Sequence, residues 1–343
     1  VSKVLFILKR REDFNTVIHN HIGLSTGLYN SAKFVNDMLP NSELVVVVDN
    51  NDIDREVTRV KPTHVIIEAL WVVPQKFNEL QKHHPDVKWI VRLHSEMPFM
   101  AGEGIAMDWI AEYARYHNVL IACNAPRMMK EVKVYLDAMG IDANRKVLYL
   151  PNFYPQEYKT KPFNKNKEHI DICCFGAVRP LKNHLVQAIA ALDFAKKNGK
   201  KLRFHVNAGR IEMKGEPLVS NLKSMFAQLY NQGHELINHT WVPREQFLEL
   251  CAEMDIGLQV SFSETFNIVG ADLISQGVPI VGSKEIPWMN YLWYAEPTSG
   301  EDICMKLQSV YSMPDENVRS NQEYLANYTN ETKKIWLDYF KEN

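Results

Sequence analysis

The chain has 343 residues, 46% of them hydrophobic and 23% charged, with 15 glycines and 16 prolines. That is material for about two domains of roughly 100–200 residues, and it excludes a disordered, collagen-like or low-complexity chain. Lys+Arg 39 against Asp+Glu 41 leaves a net charge of −2, so bulk charge offers neither a polyanion-binding field nor an acidic tail, although a local basic groove is compatible with it.

Val1-Ser2-Lys3 leads directly into a first apolar run at 4–8, too short for the core of a secretion signal, and no run approaches the ~18 apolar residues of a membrane span. The expectation is a cytoplasmic chain with no integral membrane segment. In that setting the Asn-x-Ser/Thr matches at Asn238, Asn327 and Asn330 carry no glycan. Cys123, Cys173, Cys174, Cys251 and Cys304, which lack CxxC spacing, are then reduced and mostly buried.

Further strands are read at 44–48, 65–67, 89–93, 119–123 and 147–150, with helices at 26–39, 73–82, 104–116 and 126–139, the last stopping at Gly140. Asp52-Ile53-Asp54 falls in an acidic, Asn-rich stretch that reads as a loop. Its D-x-D spacing suits a hard cation, but it stands alone, and the His19/His21 and His83/His84 pairs lack a third ligand, so no metal site is expected. A Pro- and Lys-rich stretch over 151–168 interrupts the pattern. It separates a first domain, 1–155, from a second, 169–325, through a linker at 156–168. Strands follow at 170–175, 202–206, 235–238, 256–259 and 279–281. They alternate with helices at 184–197, 218–231, 244–254 and 267–276, before terminal helices at 300–311 and 314–340. This βαβ rhythm implies an α/β chain of two Rossmann-like parallel-sheet domains, with a ligand cleft where the carboxyl ends of the two sheets face each other.

The most informative segment is 260–283. A strand ends at Val260, a polar turn carries Glu264, a helix starts near Asn267 and Ile268, and Gly277-Val278-Pro279 closes it. Free N–H groups at such a helix start bind phosphate without side chains, and Glu264 and Asp272 can each accept hydrogen bonds from vicinal sugar hydroxyls. On spacing alone, a helix cap plus a solvated aspartate is an equal reading.

The segment resembles the signature of retaining GT-B glycosyltransferases of the glycosyltransferase-4-like group: a glutamate, seven residues, a second acid, then a small residue and Gly-Val-Pro. Glu264, Phe266, Asp272, Gly277, Val278 and Pro279 fall on that pattern, with Asp272 where glutamate is usual. Leu150-Pro151-Asn152 is similar to the group's Pro-Asn-Gly, with Phe153 replacing the glycine. The run from Cys174 to Asn183 resembles its strand-end loop of Gly, Arg and Lys: Lys182 keeps the spacing from Gly176, whereas Ala177 takes the arginine's place and Arg179 lies two residues later. His239 to Gln246 looks like the loop whose backbone holds the nucleotide base, with Trp241 and Val242 beside it; an aromatic there also suits plain packing.

In the first half, Gly23 and Gly27 resemble the group's Gly-rich first loop, although they are not adjacent, and they do not form the G-x-G-x-x-G of a nicotinamide or flavin enzyme. Arg10 and Arg11, in the connection that follows the first strand, read either as part of an acceptor pocket or as a solvated loop. In Arg92-Leu93-His94-Ser95-Glu96, at the end of the fourth strand, the resemblance implies that His94 contacts the donor sugar; Glu96 would orient the acceptor.

Taken whole, the resemblance implies a GT-B fold, with the last helix, 326–343, packing back on the first domain. It implies a metal-independent, cofactor-free, retaining hexosyl- or pentosyltransferase that moves sugar from a UDP- or GDP-sugar to a hydroxyl acceptor. Arg179, Lys182 and the helix start would neutralise the leaving diphosphate, Glu264 would hold the sugar and Asp272 the ribose. Two alternatives accompany it. One is a glycosyltransferase acting on hydroxymethylated bases in DNA, with Lys9, Arg10, Arg11 and the linker lysines Lys159, Lys161, Lys165 and Lys167 as a basic rim. The other is a nucleotide-sugar-binding protein without transfer activity, or an epimerase.

Overall fold

Strand β1 (Val4–Lys9) sets the plan of the first half. Val4 and Phe6 enter one apolar core and Leu5 and Ile7 another, all four buried, as required of a strand covered on both faces. The computed structural model describes residues 2–10 and 27–342. The chain divides into two units, Val1–Pro155 with Thr329–Asn343, and Gln156–Tyr328.

In the first unit, β1 is followed by α1 (Gly27–Met38), β2 (Ser42–Val47), α2 (Asp52–Val60), β3 (His64–Glu68), α3 (Lys76–His83) and β4 (Lys88–Leu93). Then come α4 (Met97–Met100), α5 (Ala106–Arg115), β5 (Val119–Cys123), α6 (Pro126–Ala138), α7 (Ala143–Lys146) and β6 (Val147–Tyr149). The six strands pair in parallel in the order β2-β1-β3-β4-β5-β6.

The loop expected around Asp52 is instead helix α2, because Ile53, Val57 and Val60 recur at helical spacing and are buried. Asp52 accepts the Val48 and Asp49 N–H groups, at 3.0 and 3.4 Å, at the helix start. Asp54 bonds His84 at 2.8 Å and His83 at 3.2 Å. The D-x-D pair is thus occupied in holding one helix, a pattern masked in the sequence by its polar neighbours.

The second unit runs β7 (His169–Val178), α8 (His184–Lys197), β8 (Lys201–Ile211), α9 (Glu216–Leu229), β9 (Glu235–Asn238), α10 (Arg244–Glu253) and β10 (Ile256–Gln259). It continues through α11 (Ile268–Ser275), β11 (Ile280–Gly282) and α12 (Gly300–Ser312) to α13 (Pro314–Glu342), whose last part belongs to the first unit. The strand order is β11-β10-β7-β8-β9, parallel throughout. Strand β7 therefore has its successor on one side and β10 on the other, which makes the β7/β10 junction the point where strand order reverses. In open α/β sheets that junction leaves a crevice outside the carboxyl ends of the strands, where ligands bind.

On α13, Trp336 is fully buried, packs on Phe6 with ring centroids 6.0 Å apart, and donates its indole N–H to the Pro151 carbonyl at 2.8 Å. All five cysteines are free and buried. No described helix is long and apolar enough to cross a membrane.

Candidate functional site

The β7/β10 junction carries a buried ion pair. Lys182 Nζ donates to Glu264 Oε1 at 2.5 Å, and the two side chains are only 9% and 7% exposed. Lys182 sits in the short turn after β7, and Glu264 in the loop after β10. Gly176, at φ +110°, lets β7 swing out before that turn, a backbone conformation that a side-chain-bearing residue rarely takes.

The two loops are tied to each other. Gln187 on α8 donates to the Lys182 carbonyl at 2.8 Å and accepts the Val260 N–H at 2.7 Å. Asn183 donates to the Val260 carbonyl at 3.0 Å, and the Phe262 N–H meets the Leu181 carbonyl at 2.9 Å. Burial alone would raise the Glu264 carboxyl. The charges of Lys182 and Arg179, with the hydrogen bond from Lys182, outweigh it and hold Glu264 below the ordinary carboxylate range.

Asn267 stands at the start of α11 with φ +63°. Its amide oxygen accepts the Gly270 N–H at 2.7 Å, and its amide nitrogen donates to Glu264 Oε1 at 3.1 Å and Gln259 Oε1 at 2.9 Å. Ile268, the first helical residue, is half-buried. Phe266 turns into the core against Trp288 and Tyr328, and its carbonyl accepts the Trp288 indole N–H at 2.6 Å. Asp272 is 2% exposed and takes Arg244 Nη2 at 2.7 Å. A buried acid with its own guanidinium is what the sequence motif did not reveal.

Beside the ion pair, Arg179 Nη1 donates to Glu212 Oε2 at 3.2 Å, and Arg210 Nη2 bonds the other oxygen of the same carboxylate. The Arg210 guanidinium lies over the Trp241 ring, its Cζ 5.0 Å from the centroid. Trp241 and Val242 are both half-buried, in the loop after β9. A register shift between β7 and β8 pairs Val178 with Ile211, which makes Arg179 and Glu212 neighbours. Sequence reasoning missed Arg210 and Glu212, whose only signal was an R-x-E spacing at a strand end, and also Gln187 and Gln259.

In the first unit, His94 follows β4 within a second buried network. Its Nε2 bonds Glu68, and its Nδ1 lies 3.5 Å from the Asn124 amide nitrogen. Arg92 and Glu68 are wholly buried; Arg92 Nη1 donates to Glu68 Oε1 at 3.1 Å, Nη2 to Asn152 Oδ1 at 2.5 Å and Nε to the Leu150 carbonyl at 3.0 Å. Burial holds the His94 ring below its ordinary pKa and the Arg92 charge adds to this, against the opposing pull of Glu68. Glu96 is 3% exposed and accepts Arg127 Nε at 3.2 Å. Gly27 opens α1, and its carbonyl accepts the Ser31 hydroxyl at 2.7 Å. Arg10 has an exposed side chain and donates its backbone N–H to Val47 at 2.6 Å. Gly23, Arg11 and the His19/His21 pair lie outside the described residues. Among the described residues, no group of three or more His, Cys, Asp or Glu side chains is arranged to hold a metal ion.

No protein-family model matches the chain, and no curated protein matches it. Solved structures do. A UDP-forming α,α-trehalose-phosphate synthase from Burkholderia xenovorans, in complex with glucose-6-phosphate, is similar with a TM-score of 0.72 at 9% identity, covering 99% of each chain. A structure described as trehalose-6-phosphate from E. coli bound with UDP-2-fluoro glucose gives 0.70 at 10% identity, over 99% of this chain and 98% of that one. A trehalose-6-phosphate synthase studied for glycosyl transfer with retention gives 0.64 at 11% identity, over 86% of this chain and 77% of that one. At these identities the likeness is one of fold. The chain has the α/β, two-sheet GT-B fold.

Proposed function

We propose that this protein is a retaining glycosyltransferase that uses a nucleoside-diphosphate sugar and needs no metal. The observation that carries the reading is the Lys182–Glu264 pair, buried at the strand-order reversal of the second sheet, with Arg179 and the capped start of α11 around it. A lysine, an arginine and a helix start form an electrostatic site for a diphosphate, and their attraction grows as the sugar–phosphate bond breaks and charge collects on the leaving oxygen. Glu264, ionised and oriented by Lys182 and Asn267, is an acceptor for sugar hydroxyls. The acceptor hydroxyl attacks the anomeric carbon on the face the diphosphate leaves, and its proton passes to the departing phosphate oxygen.

The similar structures favour a UDP-sugar as donor and a sugar phosphate as acceptor, since UDP-2-fluoro glucose and glucose-6-phosphate are the ligands named for them. Base-modified DNA as acceptor draws no support from them. The test is a panel of UDP- and GDP-sugars with glucose-6-phosphate and other sugar phosphates, read by nucleotide release and thermal shift, with and without chelator. Transfer that persists in chelator and falls sharply in Lys182→Ala and Glu264→Gln is the expected result. Wild-type behaviour of both variants, or no shift with any nucleotide sugar, would refute the assignment.

A further inference from the structure

Glu212 is bonded through each carboxylate oxygen to a different arginine, and the two bonds are unequal. Arg210 is anchored: it stacks on Trp241, its side chain is 9% exposed, and it holds Oε1 closely. Arg179 reaches Oε2 at 3.2 Å, and its side chain keeps 21% of its exposure. It also starts the turn of Lys182, whose N–H meets the Arg179 carbonyl at 3.0 Å, and so borders the Lys182–Glu264 site.

We propose, resting on the nucleoside-diphosphate reading of that site, that Glu212 is an internal counterion for Arg179, held by Arg210 and exchanged for a phosphate oxygen when the donor binds. An arginine stays charged at any working pH, so a largely buried Arg179 needs an anion whether or not a ligand is present. When phosphate takes Arg179, Glu212 still has Arg210, and no buried carboxylate is stranded. Arg210 is then a positioning residue acting through Glu212. Because one counterion replaces another, the diphosphate gains less from Arg179 than from an unpaired arginine, which keeps product affinity down and release fast.

The experiment is calorimetric binding of UDP, inorganic pyrophosphate and uridine to the full chain and to Glu212→Gln, Glu212→Asp and Glu212→Gln/Arg179→Ala. The glutamine removes the competing charge; the aspartate keeps it on Arg210 but falls one methylene short of Arg179. Both single variants are expected to bind UDP and pyrophosphate roughly fivefold tighter, about the worth of a partly exposed ion pair, with uridine unchanged. The double variant loses that gain. Single variants that melt like wild type yet bind the anions equally or more weakly overturn the proposal. Should the glutamine variant not fold, arginine side-chain Nε resonances of the unmodified protein decide: UDP is expected to move the Arg179 signal and leave that of Arg210, and the reverse overturns it. Pyrophosphate binding that tightens as described without any UDP binding refutes the nucleotide reading and leaves the counterion exchange standing. If neither anion binds any form, both fall.

Discussion

The side-chain amide of Asn267 serves two elements at once: its oxygen caps α11 through the Gly270 N–H, and its nitrogen holds the Glu264 carboxylate at 3.1 Å. Helix start and site acid are therefore aligned by one residue, and that residue can be divided chemically into its two functions.

Asn267→Asp keeps a good cap but supplies no donor, and it sets a second carboxylate against Glu264. Near pH 7.5 the variant is expected to melt below wild type and to recover part of the difference on acidification, as one of the two acids takes up a proton. Asn267→Ala loses cap and donor together, at a cost of about 1 kcal/mol for the cap, without that recovery. Melting curves at two pH values separate the two cases, and nucleotide-sugar turnover is expected to fall in both.

Lys182→Ala leaves a buried carboxylate without its cation. A loss of about 3–5 kcal/mol is the expected order for such a change, against a smaller loss in Glu264→Gln. The sign with pH follows from the depressed Glu264 carboxyl: its contribution is present above the unfolded carboxylate pKa and is lost as pH falls through the folded one. Removing Lys182 lets burial prevail and raises that pKa above its unfolded value, so the sign reverses: the deficit of the variant against wild type is largest near neutral pH and shrinks as pH falls and Glu264 takes up a proton. Denaturant titration across about pH 3–7, the range in which carboxylates titrate, reads it.

Two histidines are held neutral inside the fold. His64 is pushed down to about 4 by burial and then by the Lys88 charge, and His184 to about 3 by burial and then by Lys182 and Arg179. Unfolding lets each take up a proton below its ordinary pKa, so stability is full above about pH 6.5 and declines below it. His184→Gln is expected to flatten that decline by one proton's worth, about 1.4 kcal/mol per pH unit. An unchanged slope between about pH 6 and pH 5 would contradict the burial argument.

Arg92 spends its guanidinium on Glu68, Asn152 and the Leu150 carbonyl, three directions that a planar fork reaches and an ammonium does not. Arg92→Lys is expected to destabilise the protein by about 2–4 kcal/mol although its charge is kept, and Arg92→Met by no less, since it leaves Glu68 buried without its arginine. Chemical denaturation is the measurement.

What could be read from the sequence follows from how local each feature is. The unbroken apolar run of β1, and the run from Glu264 to Pro279, are properties of contiguous residues, and both were legible: the strand directly, the ion-pair acid through its motif. Lys182 was found in the same way. Its bond to Glu264 was not, because it depends on β7 and β10 lying side by side. Glu212 was invisible for a sharper reason: it meets Arg179 only because the β7–β8 register slips before Val178. Asp52 shows the converse error, in which a charged surface hid three buried aliphatic residues.

Trp336 lies in the same core as Phe6 and Leu150. The core of the first unit therefore joins segments on either side of the second in sequence, with the whole of Gln156–Tyr328 translated in between. During synthesis, the second unit has all its residues before the first has its final tryptophan. Domain order in the sequence and order of completion on the ribosome run in opposite directions.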